Sequence, residues 1–397
     1  MSATADGPGP GGAPPIGIRT LIALSILNHV AFSGTRVSLT LGALHLQLPT
    51  VQVGFVLSMF SLLPMLLAIP GGRWIDRTGA RWPMTLGTVV IAVGLVIPLA
   101  WLAAPSLFVA SVLVGLGFMP FHLGIQKLIS EHGGPEERRH NLSLMTIGFS
   151  VSAFLGPTCA GFLIDGIGHR LVFGTLALLP LAALWWLRML NDRLPEGRLV
   201  GPGSGQALRI RDLLSTPELR RLYLMVALVS TAWDVHQFIV PLYGTRIGLS
   251  ASGIGLILGA FAIATMVVRM VVPLFLMDLS EWRAILFALL VAGAVYAVYP
   301  AFSSLESLLA LSFVLGLGLG VSQPMTLSIL ACSAPANRLG EASGLRVMLV
   351  NGTQTVLPTA FGALGGAFGI AALFWGMAAL LGVGFAGLAR VVFRARD

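Results

Sequence analysis

Apolar stretches of about 20 residues recur along almost the whole chain, and each is long enough to cross the ~30 Å hydrocarbon core of a bilayer. Of the 397 residues only 10% are charged and 56% are hydrophobic, whereas a water-soluble protein carries about a quarter charged residues. A closed β-barrel would show alternating segments of ~10 residues instead. The pattern therefore predicts an all-α membrane protein that crosses the lipid bilayer many times.

Turn residues cut these apolar runs into twelve predicted membrane-spanning helices. Their predicted bounds are 17–44, 50–70, 82–104, 106–129, 141–164, 169–190, 219–244, 251–276, 282–301, 305–331, 342–364 and 368–391. The predicted organisation is a flexible cytoplasmic tail (1–16), an N-terminal six-helix bundle (17–190), a cytoplasmic linker (191–218), a C-terminal six-helix bundle (219–391) and a short cytoplasmic tail (392–397). An even number of spans places both termini on the same side.

The basic residues indicate which side that is. With both termini inside, the predicted cytoplasmic segments hold nineteen of the 24 Lys and Arg residues, and the opposite loops hold only Arg170 and Arg246. The other three, Arg36, Arg269 and Arg346, fall within the spans. This bias follows the positive-inside rule and predicts cytoplasmic termini in a cell membrane, such as a bacterial inner membrane. It also explains the net charge of +8 as topology, so no nucleic-acid partner is expected.

The two halves repeat each other at an offset of about 201 positions. This offset pairs Gly54 with Gly255 and Gly115 with Gly316, each within a similar local sequence. Two such halves predict a pseudo-symmetric assembly of two six-helix bundles. Transporters built in this way bind their substrate near the midplane, between the halves.

Two motifs carry a resemblance to a known family. The stretch "GGRWIDRTGAR" at 71–81 is similar to the signature between helices 2 and 3 of the major facilitator superfamily. The stretch "GFSVSAFLGPTCAG" at 148–161, with Gly156 and Pro157, resembles a helix 5 signature of its drug–proton antiporter branch. The resemblance implies secondary active transport by alternating access, with antiport slightly favoured. Ser111 stands where that branch usually has an arginine, which leaves the origin of proton coupling open.

The resemblance also implies a gate. In the family, the acid at the position of Asp76 contacts the cytoplasmic start of helix 11 in the outward-open state, where a helix N-terminus favours negative charge. Arg346 lies near that start, so Asp76 and Arg346 are predicted to form or assist a lock between the halves. The predicted gating residues are Gly72, Asp76, Arg77, Gly79, Arg81, Gly156, Pro157 and Arg346.

Polar residues on two symmetry-related helices predict the central site. Ionisable residues inside a membrane helix are costly and are functional candidates by default. Helices 1 and 7 each present a polar stripe on one face, and the repeat offset maps one stripe onto the other. The stripes contain His29, Ser33 and Arg36 on helix 1, and Ser230, Asp234 and Gln237 on helix 7. Since lipid would expel them, both stripes are predicted to face an interior cavity.

Arg36 and Asp234 are the predicted charges of this site. Arg36 suits bidentate binding of a carboxylate or phosphate, and Asp234 suits a coupled proton because burial favours the neutral acid. The alternative is that the two residues form a structural ion pair. An ion pair that substrate or proton breaks would have both roles, as a structural contact and as a gate. The other predicted binding residues are His29, Ser33, His122, Trp233, Gln237, Arg269 and Gln323.

The predicted function is export of a small organic solute in exchange for protons. The alternative is proton-coupled uptake of an organic anion. The excess of intramembrane arginines over the single acid favours an anionic, zwitterionic or neutral solute. An intramembrane enzyme is not expected, because an H-E-x-x-H motif, a Ser–His pair and clustered acids are absent from the sequence. The absence of a GxxxxGKS loop argues against an ATP-driven pump, and a channel would not need the repeat. A monomer without metal or cofactor is predicted.

Overall fold

The computed structural model describes residues 16–131, 135–190, 216–275, 280–334 and 339–394, and the secondary structure over these ranges is helical. The predicted linker and the two predicted tails lie almost entirely outside these ranges. The helices are α1 (Ile18–His45), α2 (Thr50–Thr78), α3 (Arg81–Ala100), α4 (Ala104–Glu131), α5 and α6 (together Pro135–Met189), α7 (Pro217–Arg246), α8 (Ala251–Phe275), α9 (Glu281–Val298, then a 3-10 turn Tyr299–Ala301), α10 (Leu305–Ser333), α11 (Leu339–Phe368) and α12 (Ile370–Arg394).

The continuous segment Pro135–Met189 is two helices joined at Gly168. Its φ of 88° is left-handed, a conformation that glycine adopts without steric cost, and here the chain reverses direction between α5 and α6. With this break the described residues form twelve helical segments, which confirms the predicted count.

Two of the described helices lack an apolar window as long as a membrane span. By length and hydropathy alone, nine helices within the described ranges qualify as membrane spans, with α5 and α6 counted together, and α1 and α11 do not qualify. These two helices carry Arg36 and Arg346, respectively. Helices of this kind are stabilised by burying their polar side chains between neighbouring helices.

The charged stretch at residues 71–81 differs most from the prediction. Helix α2 was predicted to end at residue 70, but it continues to Thr78 and ends at Gly79, whose φ is 79°. Pro64 and Pro70 both lie inside the helix. A proline removes one helical hydrogen bond and can bend a helix without ending it. Most of the predicted turn is therefore the last two turns of α2.

Contacts between helix ends define two sides of the molecule. We call the side of the α1 start and the α12 end the terminal side, and the other side the opposite side. On the opposite side, Arg170 donates to the carbonyls of Leu99 and Ala100 at 2.6 and 2.8 Å, which joins the α5–α6 junction to the end of α3. Tyr243 at the end of α7 donates to the carbonyl of Phe302 at 2.8 Å. These bonds hold the loops within each half.

The two halves meet at two helix crossings on the opposite side, one between α2 and α11 and one between α5 and α8. At the first, a Cβ added to Gly54 would overlap the carbonyl of Pro358. At the second, a Cβ added to Gly255 would overlap the carbonyl of Pro157. Gly54 and Gly255 are 201 positions apart, as are Pro157 and Pro358. The predicted repeat is therefore present in the contacts as well as in the sequence.

A second pair of glycines completes the same pattern. Gly161 approaches the carbonyl of Ala251, and Gly362 approaches the carbonyl of Thr50, again at an offset of 201. All four approaches involve the starts of α2 and α8 and the later parts of α5 and α11. The close backbone packing between the halves thus lies on the opposite side.

Candidate functional site

An ion pair connects the two halves near the middle of the molecule. Arg36 of α1 and Asp234 of α7 are the partners, with Nη2 and Oδ1 3.7 Å apart. The Asp234 side chain is 1% exposed and that of Arg36 is 20% exposed. The structure therefore brings together the two charges predicted from the polar stripes. Because the aspartate is buried, its charge depends on this one cation.

Helix α11 supplies the other contacts of the carboxylate. Thr353 Oγ1 donates to Asp234 Oδ2 at 3.3 Å and also contacts the carbonyl of Val350 at 2.7 Å. Oδ1 has no hydrogen bond within the usual distance, so its contact with Arg36 is electrostatic. A change at Asp234 would therefore be felt by α1, α7 and α11 together.

A cavity of about 170 Å³ adjoins the aspartate. It lies between α7, α10 and α11, and its polar lining includes Ser230, Trp233, Asp234, Gln323, Arg346 and Gln354. The indole ring of Trp233 meets the ring of Phe261 edge-on, with centroids 4.6 Å apart, which fixes its orientation. The cavity brings three of the predicted binding residues, Trp233, Asp234 and Gln323, to one place.

Arg269 connects the halves at a second point. Its Nη1 donates to Ser150 Oγ of α5 at 3.0 Å, and its Nη2 donates to Gln323 Oε1 of α10 at 2.5 Å. Arg269 is one of the binding residues predicted from the sequence. The structure places the guanidinium of Arg269 against Gln323, which lines the cavity. Its two acceptors, Ser150 and Gln323, belong to different halves.

Ser33 is held at a helix interface within the N-terminal half. Its hydroxyl contacts the carbonyl of Ser152 on α5 at 3.0 Å and that of His29 at 2.8 Å. A Cβ on Gly156 would overlap this hydroxyl, so Gly156 allows α1 and α5 to approach closely. Ser33 thus faces α5, whereas Arg36, one turn further along, faces α7.

His29 and His122 lie together in an aromatic cluster of the N-terminal half. The ring of His29 is 4.6 Å from that of Phe149 and 5.6 Å from that of Phe118. His122 contacts the same two rings, at 5.1 and 5.4 Å. Neither histidine is among the residues that line the cavity beside Asp234. The structure therefore separates these two predicted binding residues from Trp233 and Gln323.

Gln237 and His236 differ in their surroundings on α7. Gln237 is partly buried one turn beyond Asp234 and does not line the cavity. His236 is fully buried, packs against the rings of Phe261 and Tyr299, and has no partner for either ring nitrogen. His236 therefore lies outside the lining of the cavity beside Asp234.

The predicted gating residues near the end of α2 lie on the terminal side. Gly72 is within the helix, Arg77 is exposed in its last turn and Gly79 ends it. Arg81 begins α3, and its guanidinium carbon lies 6.0 Å from the ring of Trp82. The side chain of Asp76 lies outside what the structure describes.

Arg346 is placed deeper than expected. Because α11 begins at Leu339, Arg346 lies about two turns into the helix and lines the cavity beside Asp234. Its Nε is buried and has no hydrogen-bond partner among the residues that the structure describes. The predicted contact between Asp76 and Arg346 belongs to a conformation closed on the terminal side, and it stays a prediction.

Two features of the site were not found from the sequence. Asp165, near the end of α5, accepts the backbone N–H groups of Ala251 and Ser252 at 3.1 and 2.8 Å, which caps the start of α8. Its position as an acid at the end of an apolar span was the available signal. Thr353 gave no signal, because a threonine on a membrane helix most often bonds to its own backbone.

Ser111, which replaces the arginine of the antiporter branch, also has a structural partner. It is fully buried, and its hydroxyl donates to the carbonyl of Val56 on α2. The position therefore joins α4 to α2 and contributes no charge to the central layer.

Comparison with known proteins gives the family. The family model described as Major Facilitator Superfamily matches residues 21–305 and 222–397. The chain belongs to the major facilitator superfamily. It is 21% identical over 340 residues to Multidrug resistance protein 1 of Bacillus subtilis (strain 168), which covers 85% of this chain and 82% of the relative.

Other similarities cover less of the chain or are of fold alone. Probable anion transporter 6 of Oryza sativa subsp. japonica is 30% identical over 141 residues, 35% of this chain and 33% of the relative. The crystal structure of a peptide transporter, POT, in complex with sulfate superposes with a TM-score of 0.78 at 17% identity, covering 96% of this chain and 95% of the other. This superfamily member is a multi-pass membrane transporter and not an enzyme.

Proposed function

We propose that the protein exports small organic solutes by exchange with protons. In this proposal the Arg36–Asp234 pair couples solute export to proton entry. The observation that carries the proposal is the ion pair between the halves, at a carboxylate that is 1% exposed. Removing the charge of one partner of a buried pair leaves the other uncompensated and costs several kcal/mol, about 3–5. A proton on Asp234 would thus release Arg36 and weaken the contact between α1 and α7.

Alternating access is supported by where the halves touch. The close glycine approaches lie on the opposite side, and the cavity beside Asp234 is lined by the terminal-side parts of α7 and α11. The basic residues of the terminal side favour a cytoplasmic location for it. The structure then corresponds to a state closed to the exterior, and release of Arg36 would favour the opposite state.

Exchange requires that solute and proton compete. A zwitterionic or neutral solute with a hydrogen-bond donor would pair with the ionised Asp234, and a proton at that site would remove the acceptor. The helix 5 signature and the name of the Bacillus relative, a multidrug resistance protein, support export. The solute and the proton are the proposed partners.

Proton-coupled uptake of an organic anion is the second candidate. The observation that favours it is Arg346, whose buried Nε has no partner in the cavity beside Asp234. A proton on Asp234 would free Arg36 as a second cation for an anion, so proton and anion would strengthen each other's binding. Such coupling is reciprocal by thermodynamic necessity. The rice relative named an anion transporter fits this candidate.

Two matched probes in membrane vesicles test the proposal. Phenylglycine is a zwitterion, and phenylacetate is the anion that remains when its amino group is removed. In vesicles with an imposed proton gradient, export predicts that phenylglycine moves against the proton flow, whereas uptake predicts that phenylacetate moves with it. Asp234→Asn should abolish proton-driven accumulation and, under export, should also weaken phenylglycine counterflow, because the ionised acceptor is lost. Proton-driven accumulation that survives this substitution would exclude Asp234 as the coupling group.

A further inference from the structure

The three arginines within the spans differ in what they bind. Arg36 pairs with Asp234 across the halves. Arg269 donates to an oxygen of Ser150 and an oxygen of Gln323. Arg346 has a buried Nε with no hydrogen-bond partner in the described part of the chain. A buried donor without an acceptor is costly, and for a charged group the cost is larger than for a neutral one. Among the described residues, Arg346 is therefore the arginine of this layer whose Nε is buried without an acceptor.

The cavity beside Arg346 has two kinds of wall. Four valines, Val226, Val229, Val347 and Val350, give it an apolar part, and Trp233 adds an aromatic ring. Its volume is about 170 Å³. A cavity of ~150 Å³ with apolar walls holds one benzene molecule. The space thus suits a single ring or a similarly compact apolar group next to Arg346.

The charges of the layer specify the sign of the occupant. Asp234 contributes one negative charge to the cavity, and Arg36 compensates it. The charge of Arg346 remains without a counter-ion among the described contacts. A cation in this space would meet that uncompensated arginine, whereas a monoanion would neutralise it.

We propose that this cavity binds compact aromatic monocarboxylates, with the cavity-lining guanidinium of Arg346 donating to the two carboxylate oxygens. Arginine is suited to this role because its planar fork matches a carboxylate. The ring of the ligand would lie among the valines and against Trp233. This inference rests on the proposed transport function, since it names the class of solute that the same central layer accepts.

Equilibrium binding to the purified full-length protein tests the proposal. Phenylacetate is titrated by calorimetry, with phenylacetamide as a neutral probe of nearly the same shape. We expect phenylacetate to bind at least about tenfold more tightly, because only the anion pairs with the guanidinium. Arg346→Gln should remove this preference, and Arg346→Lys should retain a part of it, since lysine keeps the charge but not the fork.

Two further variants separate the site from general effects. Arg221→Gln removes one positive charge at the exposed start of α7, away from the cavity, and should leave phenylacetate binding unchanged. Val350→Phe fills the cavity and leaves Arg346 in place, so it should also abolish binding. It keeps the test available if Arg346→Gln does not fold.

The outcomes distinguish this inference from the transport proposal. Equal affinity for the two probes, no binding of phenylacetate, or wild-type binding by a folded Arg346→Gln variant would overturn the carboxylate site. None of these results depends on a proton gradient, so the carboxylate site can fail while proton-driven transport of phenylglycine stands. Conversely, selective binding of phenylacetate without proton-driven transport of either probe would support the site and reject the coupling.

Discussion

The helix crossings and the central polar layer use the same repeat in different ways. At the crossings the repeat is kept residue by residue: Gly54 meets Pro358 as Gly255 meets Pro157. In the polar layer the repeat is broken, because the offset that relates the halves pairs Arg36 with Gln237. The contacts at the two crossings are therefore symmetric between the halves. The charges of the layer come from positions at which the halves differ, and under the proposed function these charges couple the solute to the proton.

The largest expected effect comes from breaking the ion pair on one side. Arg36→Ala leaves Asp234 buried without its cation, which costs about 3–5 kcal/mol. We expect a marked loss of thermal stability and no coupled transport. A melting curve of the purified protein measures the stability. Wild-type stability of Arg36→Ala would show that the pair contributes little.

A double variant makes the polar layer symmetric. The offset also pairs Ser33 with Asp234, so Arg36→Gln combined with Asp234→Ser gives both halves the same serine and glutamine. Replacing both partners by uncharged residues avoids the uncompensated buried charge that a single substitution leaves. We expect this variant to regain most of the stability lost in Arg36→Ala but to lack proton-driven transport. Coupled transport by the symmetric variant would contradict the account.

The crossings should respond to substitution in a symmetric manner. Gly54→Val and Gly255→Val each place a side chain against a proline carbonyl, and overpacking of this kind costs about 1–3 kcal/mol. Both variants should shift the protein toward the state open on the opposite side, by similar amounts. Spin–spin distances across that side measure the shift. Gly376→Val is the control, because a Cβ at Gly376 has nothing within 4 Å.

Asp165 is the point at which the crossings themselves differ. It caps the start of α8 through two backbone N–H groups, whereas its counterpart at the offset is Gly366 on α11. An acid at a helix N-terminus stabilises by about 0.3–1 kcal/mol at exposed positions. Asp165→Asn should therefore open the opposite side slightly, by less than Gly255→Val does. The same distance measurement ranks the two.

The smallest predicted effect concerns Thr353. Its hydrogen bond to Asp234 is long, at 3.3 Å, and the ion pair remains without it. Thr353→Val should therefore cost about 1 kcal/mol or less and change transport by severalfold at most. A transport assay at matched expression measures this. An effect as large as that of Arg36→Ala would show that Thr353 is part of the coupling machinery.

The fold was predictable because its causes are local and repeated. Apolar runs fix the helices, and the repeat fixes the relation of the halves. The end of α2 was misplaced, since Pro70 and two glycines resemble a turn and the helix nevertheless continues through them. That outcome depends on packing against other helices, which a local pattern does not contain.

The site was predictable only where the charges stand out. Arg36 and Asp234 are ionisable residues on apolar helices, and the structure joins them. Whether Ser33 faces the cavity or α5 depends on the rotation of α1 about its axis. A stripe of polar residues predicts this rotation only approximately. The position of Arg346 depends on where α11 begins, three residues earlier than predicted.

We expect a proton on Asp234 to open the opposite side of the protein. Cysteines introduced at Leu171 and Phe302, exposed residues of the two halves on that side, carry spin labels after Cys159 and Cys332 are replaced. The account predicts that the distance lengthens at low pH, and that Asp234→Asn has the long distance at both high and low pH. A wild-type pH response in Asp234→Asn would contradict the account, because another group would then control the opening.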